Sequence, residues 1–377
     1  MNDDMLYCRI KLKTIGPVHI HSGKEISKKD CIYVPQEKKI YILNDVKMFN
    51  ALKKKNLLNE YEKYLMDPMQ KNFSMFINQI GISPAEYKSW AAYSLDMNDI
   101  VNVGGSRSKG GGSDNIMEFI KDPYGMPYIP GGSMKGALRT VIQNALCAGN
   151  TVVAERTASA ISRAEDGRNP RSYLSREEKA LSKELFYTLK RDEKNPNSAS
   201  NDCFAGLRIS DSEPIDPSAL TLCQKIDITS DGKTKYMPIR RECLKPGTEI
   251  VFKLEIDKKM FPYDKEKILN CIDKAYEIYR RTFLSSFRNT DFEPKGNGHF
   301  IYIGGGCGFG TKTSIYPLYK SKDSAIKATA NILKITANPK HHHERDYPQY
   351  HISPRMRKCT KYKNSLYDIG LCSIDIR

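Results

Sequence analysis

Hydrophobic residues in this chain recur with two different spacings, and the order in which those spacings alternate leaves few folds open. Residues 6–15, LYCRIKLKTI, alternate apolar and polar, as in a strand with one buried face. GGSMKGALRTVIQNALCAG (131–149) opens with Gly and Ser and continues in helix formers. That pattern predicts a helix with Ser133 as N-cap and Gly149 as its stop. Strands are expected at 206–212 and 249–256, the clearest helix of the chain at 265–286, and a last strand at 299–303. With insertions set aside the order is βαββαβ. This is an α+β, ferredoxin-like core, an arrangement that RNA-recognition domains use to present a sheet face to single-stranded RNA.

The remaining segments are additions to that core. A hairpin is expected at 31–43. The spacing then turns helical through Val46, Phe49, Leu52, Leu57, Leu58, Tyr61, Tyr64 and Leu65, which predicts an inserted helical lobe over 46–98. GGSRSKGGGSDN cannot pack a core, so 99–115 is expected to be a flexible, Gly-rich basic loop. A helix capped by Ser175 and a hairpin turning at Asp231-Gly232 follow. The core would span 1–45 plus 116–313. Residues 314–377 would form a C-terminal extension whose basic tail runs from Asn338.

Charge narrows the partner class. Sixty Lys+Arg against 44 Asp+Glu give a formal charge of +16, which attracts polyanions because bound phosphates release counterions. No uninterrupted run of about 18 apolar residues is present, so a membrane span is not expected. The N-terminus carries acids where a secretory signal needs bases, and a cytoplasmic location is expected. The 10 cysteines include no C-x-x-C pair, so neither a zinc ribbon nor a thioredoxin motif is expected; they read as reduced core residues. His341, His342 and His343 lie in a polar stretch and read as a solvated loop. No metal or cofactor is expected.

Two glycine-rich elements carry the functional signal. In YIPGGSMKGALRT the pair Gly131-Gly132 precedes a helix, leaving amides and the helix dipole directed at one point. Ser133 adds a hydroxyl, and Lys135 and Arg139 share a helical face at i and i+4. These are parts for holding a phosphate. They are not a Walker A loop, because Ala137 stands where that loop needs Lys. In YIGGGCGFGTKT the glycines 304, 305, 306 and 308 let the backbone approach a phosphate chain, Lys312 adds charge, and Phe309 is a ring able to stack on a base. This loop also fails the Walker pattern at Thr311 and the G-x-G-x-x-G pattern at Phe309.

PVHIHSGKEI, YIPGGSMKGALRT, LRISDS, ECLKPGTE and YIGGGCGFGTKT occur in one order from about residue 14 to 313, and ISPRMRKCT follows in the tail. Together they resemble the RAMP superfamily of CRISPR proteins. More narrowly, they resemble the fifth subunit of type III-A (Csm) effector complexes. The resemblance implies a non-catalytic RNA-binding subunit that caps the backbone filament at the crRNA 3′ end and takes part in crRNA maturation and antiviral defence. The implied partners are crRNA, target RNA, the other Csm subunits (above all the repeating backbone subunits) and host nucleases. Carried over residue by residue, the RNA-facing positions are His21, Ser22, Gly131, Gly132, Ser133, Lys135, Arg139, Gly304, Gly305, Gly306, Gly308, Phe309 and Lys312.

The alternative is an RNA endonuclease of the RAMP type. Asp30, in KEISKKDCIYV, is the one Asp near the position where related backbone subunits hold a metal-dependent catalytic aspartate. His19 and His21 would share a strand face and could serve metal-free acid–base cleavage. In the competing reading Asp30 is solvated, His19 packs and His21 meets phosphate or solvent.

Overall fold

The computed structural model describes residues 4–69, 72–98, 100, 115–164, 169–287, 294 and 298–377. Apart from Ile100 and Asn115, the expected loop at 99–115 lies outside the described residues. The chain begins with β1 (Met5–Thr14), β2 (His21–Ile26), β3 (Cys31–Val34) and β4 (Lys39–Leu43). Four helices follow, α1 (Asp45–Lys54), α2 (Leu58–Met66), α3 (Phe73–Gln79) and α4 (Pro84–Ser89). Next come β5 (Ala91–Asp96), β6 (Ile116–Phe119), α5 (Gly131–Gly149), α6 (Thr151–Ser162), α7 (Ser175–Phe186) and β7 (Leu207–Ile209). The hairpin β8 (Leu220–Thr229) and β9 (Thr234–Leu244) leads to β10 (Glu249–Asp257), α8 (Lys265–Thr282) and β11 (His299–Tyr302). The chain closes with α9 (Lys322–Thr336), β12 (Met356–Tyr362), β13 (Ser365–Asp368) and β14 (Leu371–Ile376).

The mixed α+β class and the six anticipated core elements are present. The first sheet has the order β11-β14-β1-β10-β7, every neighbouring pair antiparallel. The strand beside β1 is therefore not 299–302 but β14, paired from Ile10↔Ile376 to Thr14↔Cys372. The cause is its alternation: Cys372, Ile374 and Ile376 are buried on the face that already carries Ile10, Leu12, Phe252 and Leu254. Helices α5 and α8 cover that face through Leu138, Ile142, Ile268 and Ile272. β11 is displaced outward to the edge of β14.

The expected basic tail is thus woven into the fold. Arg357 is 1% exposed and grips Asp368 through Nε–Oδ1 at 2.6 Å and a second bond at 2.8 Å, while Tyr302 donates to the same carboxylate at 2.6 Å. Lys358 pairs with Asp227 at 2.9 Å. Arg357 is consumed within the tail and Lys358 by a partner 131 residues away, which local charge counting does not reveal. His341 and His342 are exposed as expected, but His343 is half-buried against Asp346, 2.7 Å away.

A second sheet runs β13-β12-β8-β9-β6-β2, with β6 and β9 parallel. A third, β3-β4-β5, supports α1–α4 over a separate core that includes Ile32, Leu52, Phe73, Ile77 and Trp90. The lobe is helical to Ser89, but 91–96 is a strand rather than the end of a helix, because it completes the sheet beside β4. All 10 cysteines are unbonded. Among the described residues no helix is long and apolar enough to cross a membrane.

Candidate nucleic-acid interface

The last glycine loop is fastened to the short segment that leaves β1, whereas the first is fastened to the exit of β7. Pro17 accepts the Gly370 N–H at 2.8 Å, and Val18 bridges to Leu244. The carbonyl of His19 then accepts the Gly305 N–H at 2.7 Å. This contact leaves no room for a side chain at Gly304, where a Cβ would lie 2.3 Å from the His19 oxygen and φ is +80°. Glycine is required here by both space and backbone angle.

His19 is itself held from behind. It is 1% exposed, with Nδ1 2.7 Å from the Glu242 carbonyl. A carbonyl only accepts, so Nδ1 carries the proton and Nε2 keeps its lone pair. Burial pushes the imidazole pKa down to about 4, with help from Arg241, His21 and Lys121 and against the backbone bond. The carboxylate of fully buried Glu242 accepts from Tyr93 at 2.5 Å, the Phe119 N–H at 2.9 Å and Lys121 at 2.6 Å, tying three strands around this anchor.

On α5 the N-terminus is built differently from expectation. Pro130 is the capping position, and its carbonyl accepts from Ser133 and Met134 at 2.9 and 3.3 Å, so Ser133 is not the N-cap. Asp211 Oδ1 accepts the Gly131 N–H at 2.8 Å. A Cβ on Gly131 would stand 2.2 Å from the Ile209 oxygen, so this glycine serves the close approach of helix and β7 exit. Gly132 is exposed, with nothing within 4 Å of an added Cβ.

Together these elements enclose a cleft of about 450 Å³ between α5, α8 and β11. Of the anticipated residues, His21, Ser133, Gly304, Gly305 and Lys312 line it, joined by Gly136, Thr140 and Asn144 from one face of α5. No carboxylate is among the lining residues, and the exposed Lys312 supplies a cation. The Ser133 hydroxyl and the Lys312 ammonium, with no acid among the lining residues, describe a surface suited to the phosphodiester chain.

Other anticipated residues stand elsewhere. Lys135 and Arg139 do share a face, but that face turns away from the cleft. Arg139 pairs with Asp202 at 2.8 Å, donates to Ser182 at 2.8 Å and lies over the rings of Phe186 and Phe204, 4.4 and 4.7 Å from their centroids. Burial pulls the Lys135 pKa down, with Asp202 opposing. Ser22 donates to Glu118 at 2.9 Å, which occupies its hydroxyl. Gly306 packs beside Arg241, and Gly308 beside Lys358, whose Cγ would be 3.0 Å from an added Cβ. Phe309 leans on the apolar cluster of Leu181 and Ile315.

Two residues were not anticipated. Asn144 lines the cleft, 9% exposed; its amide donates to the Thr313 carbonyl at 3.1 Å and its Oδ1 is buried without a hydrogen-bond partner among the described residues. The signal was an Asn in the apolar run VIQNALC. Arg241, whose guanidinium carbon lies 3.4 Å from a Cβ placed on Gly306, also has a buried nitrogen without a partner among the described residues. It directly precedes ECLKPGTE.

Of the alternative catalytic residues, His19 and Asp30 are engaged in structure. Asp30 is exposed but accepts from the Ser27 N–H at 2.8 Å and the Ser27 hydroxyl at 2.7 Å, closing the turn before β3. His21 is exposed, its ring centroid 5.6 Å from that of buried His19.

Comparison with known proteins matches residues 11–311 to the RAMP superfamily. Curated relatives named "CRISPR system Cms protein Csm5" include one from Mycobacterium tuberculosis, 28% identical over 400 residues and covering 100% of this chain and 99% of the relative. Another, from Streptococcus thermophilus, is 28% identical over 340 residues, covering 89% of this chain and 86% of the relative. A chain from a cryo-EM structure of a Csm–crRNA–target RNA ternary complex shares the fold with a TM-score of 0.63 at 18% identity, over 98% of this chain and 100% of that one. The crystal structure of T. onnurineus Csm5 gives a TM-score of 0.60 at 19% identity, over 96% and 99%.

Proposed function

The chain belongs to the RAMP superfamily, and from that premise we propose that it is a non-catalytic, crRNA-binding subunit of a type III-A CRISPR effector complex acting in antiviral defence. Its partners are crRNA, target RNA and the other subunits of a Csm complex, above all the repeating backbone subunits. The observation that carries the reading is the carboxylate-free cleft in which Gly304, Gly305, Ser133 and Lys312 converge. The core that builds it is read as ferredoxin-like, with β1, β7, β10 and β14 as its four strands and β11 as an added edge. In this account the chain caps the filament at the crRNA 3′ end and takes part in crRNA maturation, with host nucleases doing the trimming.

The endonuclease reading is less well supported, since Asp30 closes a turn and His19 is buried with a depressed pKa. One experiment separates the two. Purified protein is incubated with labelled crRNA precursor with and without Mg²⁺, and its co-purification with sibling subunits and an RNA of fixed length is measured. Binding and co-purification without cleavage support the proposal. Specific cleavage lost in Asp30→Ala or His21→Ala overturns it.

A further inference from the structure

The cleft does not end at α5. A second depression of about 690 Å³ adjoins it, and Thr140 and Lys312 line both. Its chemistry is different. Tyr173, Leu174, Leu181, Ile315, Leu318 and Ile332 wall it, all buried members of one apolar cluster. Among the described residues that cluster, formed by α6, α7, α9 and the segment after the last glycine loop, does not close over itself and leaves an open apolar hollow. Phe309 is packed at its wall. Glu177, Glu178 and Arg171 stand among its lining residues, so this hollow, unlike the cleft, carries carboxylates.

Carboxylates and apolar walls are unfavourable for a phosphate and favourable for a flat heterocycle whose exocyclic amine can donate to an acid. The two depressions share Thr140 and Lys312, so a strand with a phosphate at Lys312 borders the hollow as well as the cleft.

We propose that this hollow is a nucleobase pocket, taking one unstacked base of the strand whose phosphates lie in the cleft. The inference rests on the reading that the cleft binds RNA. It assigns Phe309 a stacking wall after all, but in the neighbouring pocket. It assigns Glu177 and Glu178 to the base edge.

The test uses the full chain and two labelled decamers, oligoadenylate and an abasic ribose-phosphate chain of equal length, with affinity read by fluorescence anisotropy at several salt concentrations. Stacking on a protein surface sets the expected scale, and the abasic decamer should bind about tenfold more weakly. Its salt slope should be unchanged, since the phosphate contacts persist. Ser172 is exposed at the pocket rim, so Ser172→Trp fills the opening without entering the core. This variant should bring oligoadenylate down to the abasic level and leave the abasic decamer unaffected. Glu178→Gln, also at an exposed position, should keep binding but narrow the preference for oligoadenylate over oligouridylate. Equal affinity of the two decamers overturns the inference, as does a Ser172→Trp protein that still binds oligoadenylate like wild type; both leave the RNA-binding reading standing. Failure to bind either decamer overturns the two together.

Discussion

Gly304→Ala puts a methyl group where the backbone has no room for one. The new Cβ would lie 2.3 Å from the His19 carbonyl oxygen, an atom that cannot swing aside like a side-chain tip. A left-handed backbone angle costs an L-residue about 1–2 kcal/mol. Forcing an extra carbon into a packed site adds about 1–3 kcal/mol. Displacing the loop also loosens the Gly305–His19 hydrogen bond, worth about 0.5–1.5 kcal/mol. The sum is about 2.5–6.5 kcal/mol, read by urea unfolding of the variant. Gly232→Ala is the control, because its φ is +86° but its surroundings are open, so it should lose only about 1–2 kcal/mol. Gly132→Ala completes the series. Its site is open and helical, so stability should be unchanged or raised by about 0.5–1 kcal/mol. If Gly304→Ala costs no more than Gly232→Ala, the loop is not clamped to His19, and the argument for convergence loses its joint.

Three further outcomes follow from contacts described above. The His19 pKa lies at about 4 in the folded chain against 6.5 when unfolded, so the unfolded state takes up a proton first as pH falls. The associated stability, about 3 kcal/mol at most, is complete above pH 6.5 and is lost as pH drops toward 4; urea unfolding at pH 7 and pH 5 should show a smaller difference in His19→Gln than in wild type. Arg139→Ala should lower stability by about 1–3 kcal/mol through loss of its ring stacking and its contact with Asp202, and should leave the salt dependence of RNA binding alone. Truncation after Gly370 removes the strand between β11 and β1 and exposes both edges, so circular dichroism and thermal melting should report loss of cooperative folding.

What could be read without coordinates was whatever the chain states locally. The helices at 131–149 and 265–282 and the hairpin at 220–244 are each specified by their own spacing and turn residues. β14 was equally visible as LCSIDI, but it follows a stretch rich in Lys and Arg, and the local charge masked its alternation. Its place beside β1 is a pairing across more than 350 residues, which periodicity does not encode. Lys135 and Arg139 show the same limit. Their common face follows from helix geometry, but its direction is set by Asp202, Phe186 and Phe204, which the fold brings in from elsewhere. The glycines were legible as special positions; which of them serve close packing (Gly131) and which the cleft (Gly304, Gly305) emerged only from the neighbours that surround them.

The central claim, that the cleft at Lys312 carries the phosphate chain, is tested most directly by the slope of log affinity against log salt for oligoribonucleotide binding. Lys312→Ala should flatten that slope by about 0.7, the share of one phosphate contact with a single strand, while Arg139→Ala should not change it. An unchanged slope in Lys312→Ala together with a flattened one in Arg139→Ala would place the strand on the opposite face of α5 and contradict the account.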